Sequence, residues 1–281
     1  MTRGLVLGGG GVAGAAWETG IVLGLLDAGV DLRLADRFVG TSAGSRVAAE
    51  LTNRVPLAES FARLVALPPA YEIPAEFDSD ALMTAFGNAL NDAKPGPAFN
   101  VAIGRYALAA ETVAEPVRRE IIAGRLTVHS WPAADLRIVA IDTETGEQRV
   151  FTRADAVDLV DAVAASCAVP GVWPPVTIDG VRYIDGGMRS SSNPDLAAGC
   201  DQVVIIAPMP ELPLSAPGVK KAIKALHRSA KVVSIGPDEA STAAIGTNPL
   251  DPATARPAAE AGRAQAASHV DEVAAVWSVG G

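Results

Sequence analysis

Two cysteines, Cys167 and Cys200, are too few for a disulfide framework, and neither has a neighbour at metal-ligand spacing. Both are expected to be reduced core residues. Histidine is almost as scarce: His129, His227 and His269 are the whole supply, and none stands at a strand exit or beside a glycine turn that would present it to a site. Positive charge is in deficit as well, with a formal net charge of −9. That excludes binding to nucleic acid or to an anionic membrane by bulk electrostatics, since both need a cationic surface. Long hydrophobic runs are missing too: none reaches the roughly 18 to 20 residues needed to span a bilayer. The expectation is a soluble, cytoplasmic protein that meets any lipid surface only transiently and through apolar contacts. Arg3 and the apolar residues after it resemble the start of a secretory leader, but the run Gly8 to Gly11 breaks the helix such leaders adopt.

Hydrophobic residues, by contrast, make up 49% of the chain, enough for a sizeable core. They are rich in Ala and Val and poor in aromatics, and 27 glycines with 20 prolines supply many turns and close backbone approaches. This balance suits an α/β layer fold. Gly4 to Leu7 reads as a strand that stops at a glycine cluster; Trp17, Ile21, Val22, Leu25 and Leu26 then mark one face of a helix ended by Gly29. Asp31 to Val39 lead into a second strand that breaks at Gly40, and Val47, Ala48 and Leu51 begin another helix. Pro56 to about Gly124 is mostly helical, interrupted at Pro68-Pro69 and at Lys94 to Pro97, and reads as a helical insertion. Leu136 to Ile141 and Glu147 to Phe151 predict a hairpin, Val157 to Ala168 a helix. Val176 to Ile178 and Val181 to Ile184 predict a second hairpin around Asp179-Gly180. Val203 to Ala207 and Lys231 to Ile235 predict buried strands on either side of a basic helix at Lys220 to His227. The last twenty residues predict an Ala-rich helix, and Pro249 to Gly262 is the one candidate linker. The chain is expected to form a single domain over 1–281, with its motifs within about 4–208 and a C-terminal strand and helices in 209–281.

Three short constellations carry chemistry. Gly9-x-Gly11-x-x-Gly14, with Gly10 inside it, lies between a strand and a helix, where backbone amides and a helix N-terminus converge on one point and stabilise negative charge. The pattern could cradle a dinucleotide, but the second strand ends in Phe38-Val39-Gly40 without the acidic residue that would hold a ribose, and no Gly-Lys-Ser/Thr follows. A purely structural glycine turn is the other reading. Gly40-Thr41-Ser42-Ala43-Gly44 also joins a strand to a helix, and its two glycines permit the sharp turn that exposes a nucleophilic serine; alternatively Ser42 merely caps the helix. Asp185-Gly186-Gly187 stands at the exit of the second hairpin. Its carboxylate is sterically open, although Asp-Gly-Gly is also an ordinary turn.

Taken in this order, the three motifs resemble the patatin-like phospholipase family. Ala164-Ala165-Ser166, Pro170-Gly171, Trp173-Pro174-Pro175 and Asn193-Pro194 resemble the family's segments around its catalytic aspartate. The resemblance implies a three-layer α/β/α sandwich of patatin type, with a mostly parallel sheet and a helical insertion. It implies a Ser42–Asp185 dyad, without histidine, metal or cofactor, and an oxyanion hole from the backbone amides of Gly10 and Gly11. The implied substrate is an acyl ester of a lipid, with a short-chain carboxylesterase or a catalytically silent lipid- or partner-binding protein as alternatives. One departure stands out: Ala13 occupies the position where the family's glycine loop commonly carries Lys or Arg.

Overall fold

The computed structural model describes residues 1–66, 79–210 and 218–277. The chain opens with β1 (Arg3–Leu7), α1 (Gly11–Asp27), β2 (Arg37–Thr41) and α2 (Ala43–Thr52). Four helices follow, with no strand among the described residues: α3 (Leu57–Val65), α4 (Ser79–Asp92), α5 (Pro97–Ala109) and α6 (Glu115–Arg125). This is the expected helical insertion; its Pro68-Pro69 interruption lies outside the described residues. Then come β3 (Asp135–Asp142), β4 (Gln148–Phe151), α7 (Leu159–Ser166), β5 (Val176–Ile178) and β6 (Val181–Asp185). The chain continues through β7 (Gln202–Ile206), α8 (Val219–Leu226), β8 (Lys231–Ile235), α9 (Glu239–Ile245), α10 (Ala255–Gln265) and α11 (Val270–Trp277).

The strands form one mixed, mostly parallel sheet in the order β5-β6-β3-β2-β1-β7-β8, with β4 also paired to β3. The five strands from β3 to β8 in that order run parallel, and β4, β5 and β6 supply the antiparallel pairs. Side chains alternate across the sheet as period two requires. Leu5, Leu7, Phe38, Ile138 and Ile206 enter the larger core with α1, α2, α7 and α10. Val6, Val39, Val139 and Ile205 face the opposite side, toward Leu226 of α8, and Ile141 and Ile184 meet Phe86 of α4 and Phe99 of α5. Helices therefore cover both faces, giving the α/β/α layering of the sequence reading.

α1 is apolar nearly all round because it is enclosed on nearly all sides, with Ala13 to Leu23 buried without a break. Much of its cover is α10, which corrects the reading of Pro249 to Gly262 as a linker. The small residues there serve close packing. A Cβ on Gly20 would lie 2.2 Å from the Ala259 carbonyl oxygen, and one on Gly262 2.4 Å from that of Trp17. The Trp17 indole N–H donates to Gln265 at 3.1 Å across the same buried contact. The Ala-rich C-terminus is not one helix either: a 3-10 turn at Ala266–His269 separates α10 from α11, and residues 278–281 lie outside the described residues.

Candidate active site

β3 brings the two distant motifs together. Val139 pairs with Thr41 of β2 and with Val150 of β4, while Ala140 pairs with Asp185 of β6 and with Arg149 of β4. Since β4 occupies one edge of β3 at both positions, β2 and β6 share the other. β2 runs parallel to β3 and β6 antiparallel to it, so their C-terminal ends meet head-on. Ser42 leaves one end and Asp185 the other. Asn193 ties the junction, its Nδ2 donating to Thr41 Oγ1 at 3.0 Å and to the Gly186 carbonyl at 3.3 Å. Its αL backbone, φ 48°, is one that Asn tolerates better than most residues. In the sequence Asn193 stood only as part of the tail of a motif; its bridging role depends on the register of three strands, which no local pattern encodes.

Ser42 sits at φ 51° and ψ −120°, a conformation that non-glycine residues rarely adopt, and its side chain makes no capping hydrogen bond to α2. The capping role weighed for it is therefore absent. The turn is held from outside by Ser42 N–H donating to Ser166 Oγ at 2.9 Å and Gly44 N–H to the Gly8 carbonyl at 2.9 Å. Both flanking glycines are needed for space: a Cβ on Gly40 would lie 2.5 Å from Ser45 Cα, and one on Gly44 2.3 Å from the Leu7 carbonyl oxygen. Because both obstacles are backbone atoms, Gly44→Ala is expected to destabilise the protein by about 1–3 kcal/mol. A denaturation midpoint equal to wild type would show that the turn relaxes freely.

Asp185 is buried, and its two oxygens differ. Oδ1 accepts from Gly187 N–H at 2.7 Å, the ordinary turn role; Oδ2 is buried without a hydrogen bond of full geometry. Burial pushes the carboxyl up to about 6, against the stabilising influence of the adjacent Ser42 hydroxyl and the Gly187 amide. Serine and carboxylate are thus neighbours whose hydrogen bond is not fully formed, as is common before substrate is bound. Gly186 lets the turn pass against β3, since a Cβ there would lie 2.3 Å from the Val139 carbonyl oxygen.

The glycine loop leaves β1 beside them. β1 is where the strand order reverses, with β2 on one side and β7 on the other, the place where open α/β sheets bind ligands. Gly9 N–H is occupied by the Ser191 carbonyl at 2.7 Å, and Ala13 N–H by that of Pro249 at 3.0 Å. Between them, the amides of Gly10, Gly11 and Val12 find no acceptor among the described residues. Gly11 takes φ +62° with Pro249 packed against it, and a Cβ on Gly10 would meet Gly14 Cα at 2.8 Å. The loop is fixed by its packing, and its free donors lie at the N-terminus of a 17-residue helix.

Gly11, Ser42 and Ala43 open into a cavity of about 300 Å³. Val169, Ile122 and Trp173 contribute apolar wall, and Arg46, Arg63, Arg118 and Arg125 bring guanidinium groups. The sequence reading missed these arginines because they lie on three helices whose mutual packing it could not supply. None of the three histidines lines the cavity. His129 is exposed and bonded to the Ala123 and Leu126 carbonyls, His227 is exposed just past the end of α8, and His269 pairs with Glu272. Cys167 lines the cavity and Cys200 is buried elsewhere; both are free thiols. Among the described residues no acidic, histidine and cysteine side chains cluster to hold a metal ion, and no helix is long and apolar enough to cross a membrane.

A family model described as "Patatin-like phospholipase" matches residues 5–198. The chain belongs to the patatin-like phospholipase family. The matched span of this patatin-like protein holds all three motifs. No curated protein matches it. Among solved structures it is similar to VipD from Legionella pneumophila, at 14% identity and a TM-score of 0.49, covering 96% of this chain and 67% of that one. It is also similar to the type III effector protein ExoU, at 18% identity and a TM-score of 0.46, covering 97% of this chain and 53% of that one. The patatin-like chain therefore spans about half the length of ExoU.

Proposed function

We propose that this patatin-like protein is a serine acyl hydrolase that cleaves acyl esters of lipids, with Ser42 as nucleophile and Asp185 as its base. The observation that carries the reading is the head-on meeting of β2 and β6 along β3, which sets a strained, outward-turned serine beside a buried carboxylate. A serine hydroxyl attacks poorly until a base takes its proton. Asp185 Oδ2 receives the proton as Ser42 Oγ adds to the acyl carbonyl, and the amides of Gly10 and Gly11 stabilise the oxyanion, each such donor being worth roughly 3 kcal/mol. Collapse of the tetrahedral adduct expels the alcohol, which takes the proton back from Asp185. Water then attacks the acyl-enzyme, with Asp185 again the base, and releases the acid and free Ser42.

A fluorophosphonate probe tests the nucleophile directly. Mass spectrometry of the labelled protein should place the adduct on the peptide containing Ser42. A folded protein that resists the probe would point instead to a silent patatin-fold binding protein. Nitrophenyl esters of increasing acyl length then separate a lipid hydrolase from a short-chain carboxylesterase.

The raised Asp185 value fixes a pH profile. The base works only when ionised, so kcat/KM is expected to fall about tenfold per pH unit below about 6 and to level off above about 7. A profile flat down to pH 4.5 would mean that some other group limits the reaction.

A further inference from the structure

We infer that Arg189 is a positioning residue for the dyad: it orients the Asn193 amide that bridges β2 and β6, and so sets the separation of Ser42 from Asp185. Its effect on turnover rests on the hydrolase reading above; its effect on that separation does not. The parts follow Asp185 closely in the chain. β6 ends at Asp185, a 3-10 turn covers Gly186–Met188, and Arg189 closes it, its N–H donating to the Gly186 carbonyl at 3.2 Å. Asn193 then opens a second 3-10 turn, Pro194–Ala197, which contains Asp195.

The Asn193 amide has a donor end and an acceptor end, and its surroundings decide which way it faces. A guanidinium offers N–H donors only. Arg189 Nη1 donates to Asn193 Oδ1 at 2.7 Å, so the amide oxygen turns toward Arg189 and the NH2 group away from it. On that other side stand the Gly186 and Ser190 carbonyls, at 3.3 and 2.9 Å, and Thr41 Oγ1 at 3.0 Å. Reversed, the amide would set its oxygen against two carbonyl oxygens and its NH2 against a guanidinium, losing the bonds to all three. Asp195 holds the guanidinium by two bonds, Nη1 to Oδ1 at 3.0 Å and Nη2 to Oδ2 at 2.8 Å, a paired geometry that fixes direction as well as distance. The Arg189 side chain is only 16% exposed, so little water competes for these bonds.

The bridged residues adjoin the reacting ones: Thr41 precedes Ser42, and Gly186 follows Asp185. Among the described residues β2 and β6 both pair with β3 and not with each other, so no ladder fixes the gap between their ends. The end of α7 supplies a main-chain frame, Ser166 Oγ accepting from Ser42 N–H at 2.9 Å and the Ala168 carbonyl from Asp185 N–H at 3.0 Å. The Asn193 amide adds the tie across the junction itself. Loss of Arg189 therefore loosens the pair without releasing it. Arg189, Asn193 and Asp195 do not line the cavity, so they act on the geometry of the reacting atoms and not on the binding of substrate.

Arg189→Met removes the donor that orients the amide and leaves Asp195 at a position water can reach. With 4-nitrophenyl hexanoate its kcat should fall roughly 10²-fold, the cost of misplacing reacting groups by about 1 Å, while KM stays within about threefold. Arg189→Lys keeps a charged donor and should recover about tenfold of that loss. Asn193→Asp keeps the shape and the bond to Arg189 but faces the carbonyls with an acceptor, and should lose at least as much kcat as Arg189→Met. A kcat within about threefold of wild type in Arg189→Met, or a loss that appears in KM instead, would overturn the inference. Crystal structures of wild type and Arg189→Met read the positioning without turnover: the separation of Ser42 Oγ from Asp185 Oδ2 should change by about 0.5 Å or more. If Arg189→Met fails to fold, Asn193→Asp carries both measurements. Should wild type hydrolyse no ester, the hydrolase reading fails and this separation alone decides; an unchanged separation refutes the positioning role.

Discussion

Replacing Ser42 by alanine is expected to lower ester turnover by roughly 10⁴-fold or more while leaving the fold in place. The loss is large because Ser42 Oγ is the atom that forms the covalent bond. Cys167 also lines the cavity, but burial and the nearby Asp185 raise its thiol, so it stays protonated and inert. The fold should survive because the hydroxyl makes no capping bond and the main-chain bond to Ser166 does not depend on it. Ser42→Gly sharpens the test. It should be as inactive as Ser42→Ala yet more stable, by about 1 kcal/mol or more, because glycine accepts φ 51° without the penalty a Cβ incurs. Turnover and a thermal midpoint, measured on wild type and both variants, decide the matter: an active Ser42→Ala removes the nucleophile assignment. Equal midpoints for the two variants would mean that the turn stores no strain.

The fold was legible in the sequence wherever a local pattern decides local structure. Asp179-Gly180 set the second hairpin, Gly29 ended α1, and the β-branched run of β7 gave a strand buried along its whole length. Reading failed where the meaning of a segment depends on what packs against it. Pro249 to Gly262 has the composition of a linker, but its small residues are those that allow α10 to approach α1 at backbone distance. Asp31 to Val39 led toward a strand, yet the Asp31 carboxylate accepts from Arg33 N–H and closes a 3-10 turn first, so β2 begins only at Arg37. The site divides the same way. Ser42, Asp185 and the glycines announce themselves because a sharp turn or a close approach restricts the residue type at that position. Asn193 and the four arginines do not, because any surface helix or loop could carry them and only the tertiary arrangement brings them near Ser42.

Asp185→Asn should remove nearly all turnover, by roughly 10³-fold or more, whereas replacing His129, His227 and His269 together by Gln should leave most of it. Asparagine keeps the shape of the side chain and can still accept from Gly187 N–H, so the variant loses the base with little change to the turn. The histidines line no part of the cavity, and His129 and His269 are held by bonds of their own. Stability gives an independent reading of the same residue. The folded value of about 6 lies above the ordinary 3.8, so the native state binds this proton more tightly than the unfolded chain does. The stabilisation from that proton is complete below about pH 3.8 and disappears as pH rises through about 6. Near pH 7.5 the buried charge therefore costs roughly 3 kcal/mol relative to its protonated form. Asn carries no charge to bury, so Asp185→Asn should melt several degrees above wild type near pH 7.5, with the gap closing toward pH 4. Turnover on one nitrophenyl ester and thermal midpoints at the two pH values test both halves. A folded histidine-free protein without activity would replace the dyad by a triad. An Asp185→Asn protein no more stable than wild type at pH 7.5 would mean that the carboxylate is solvated, and the basicity ascribed to its burial would lose its physical cause.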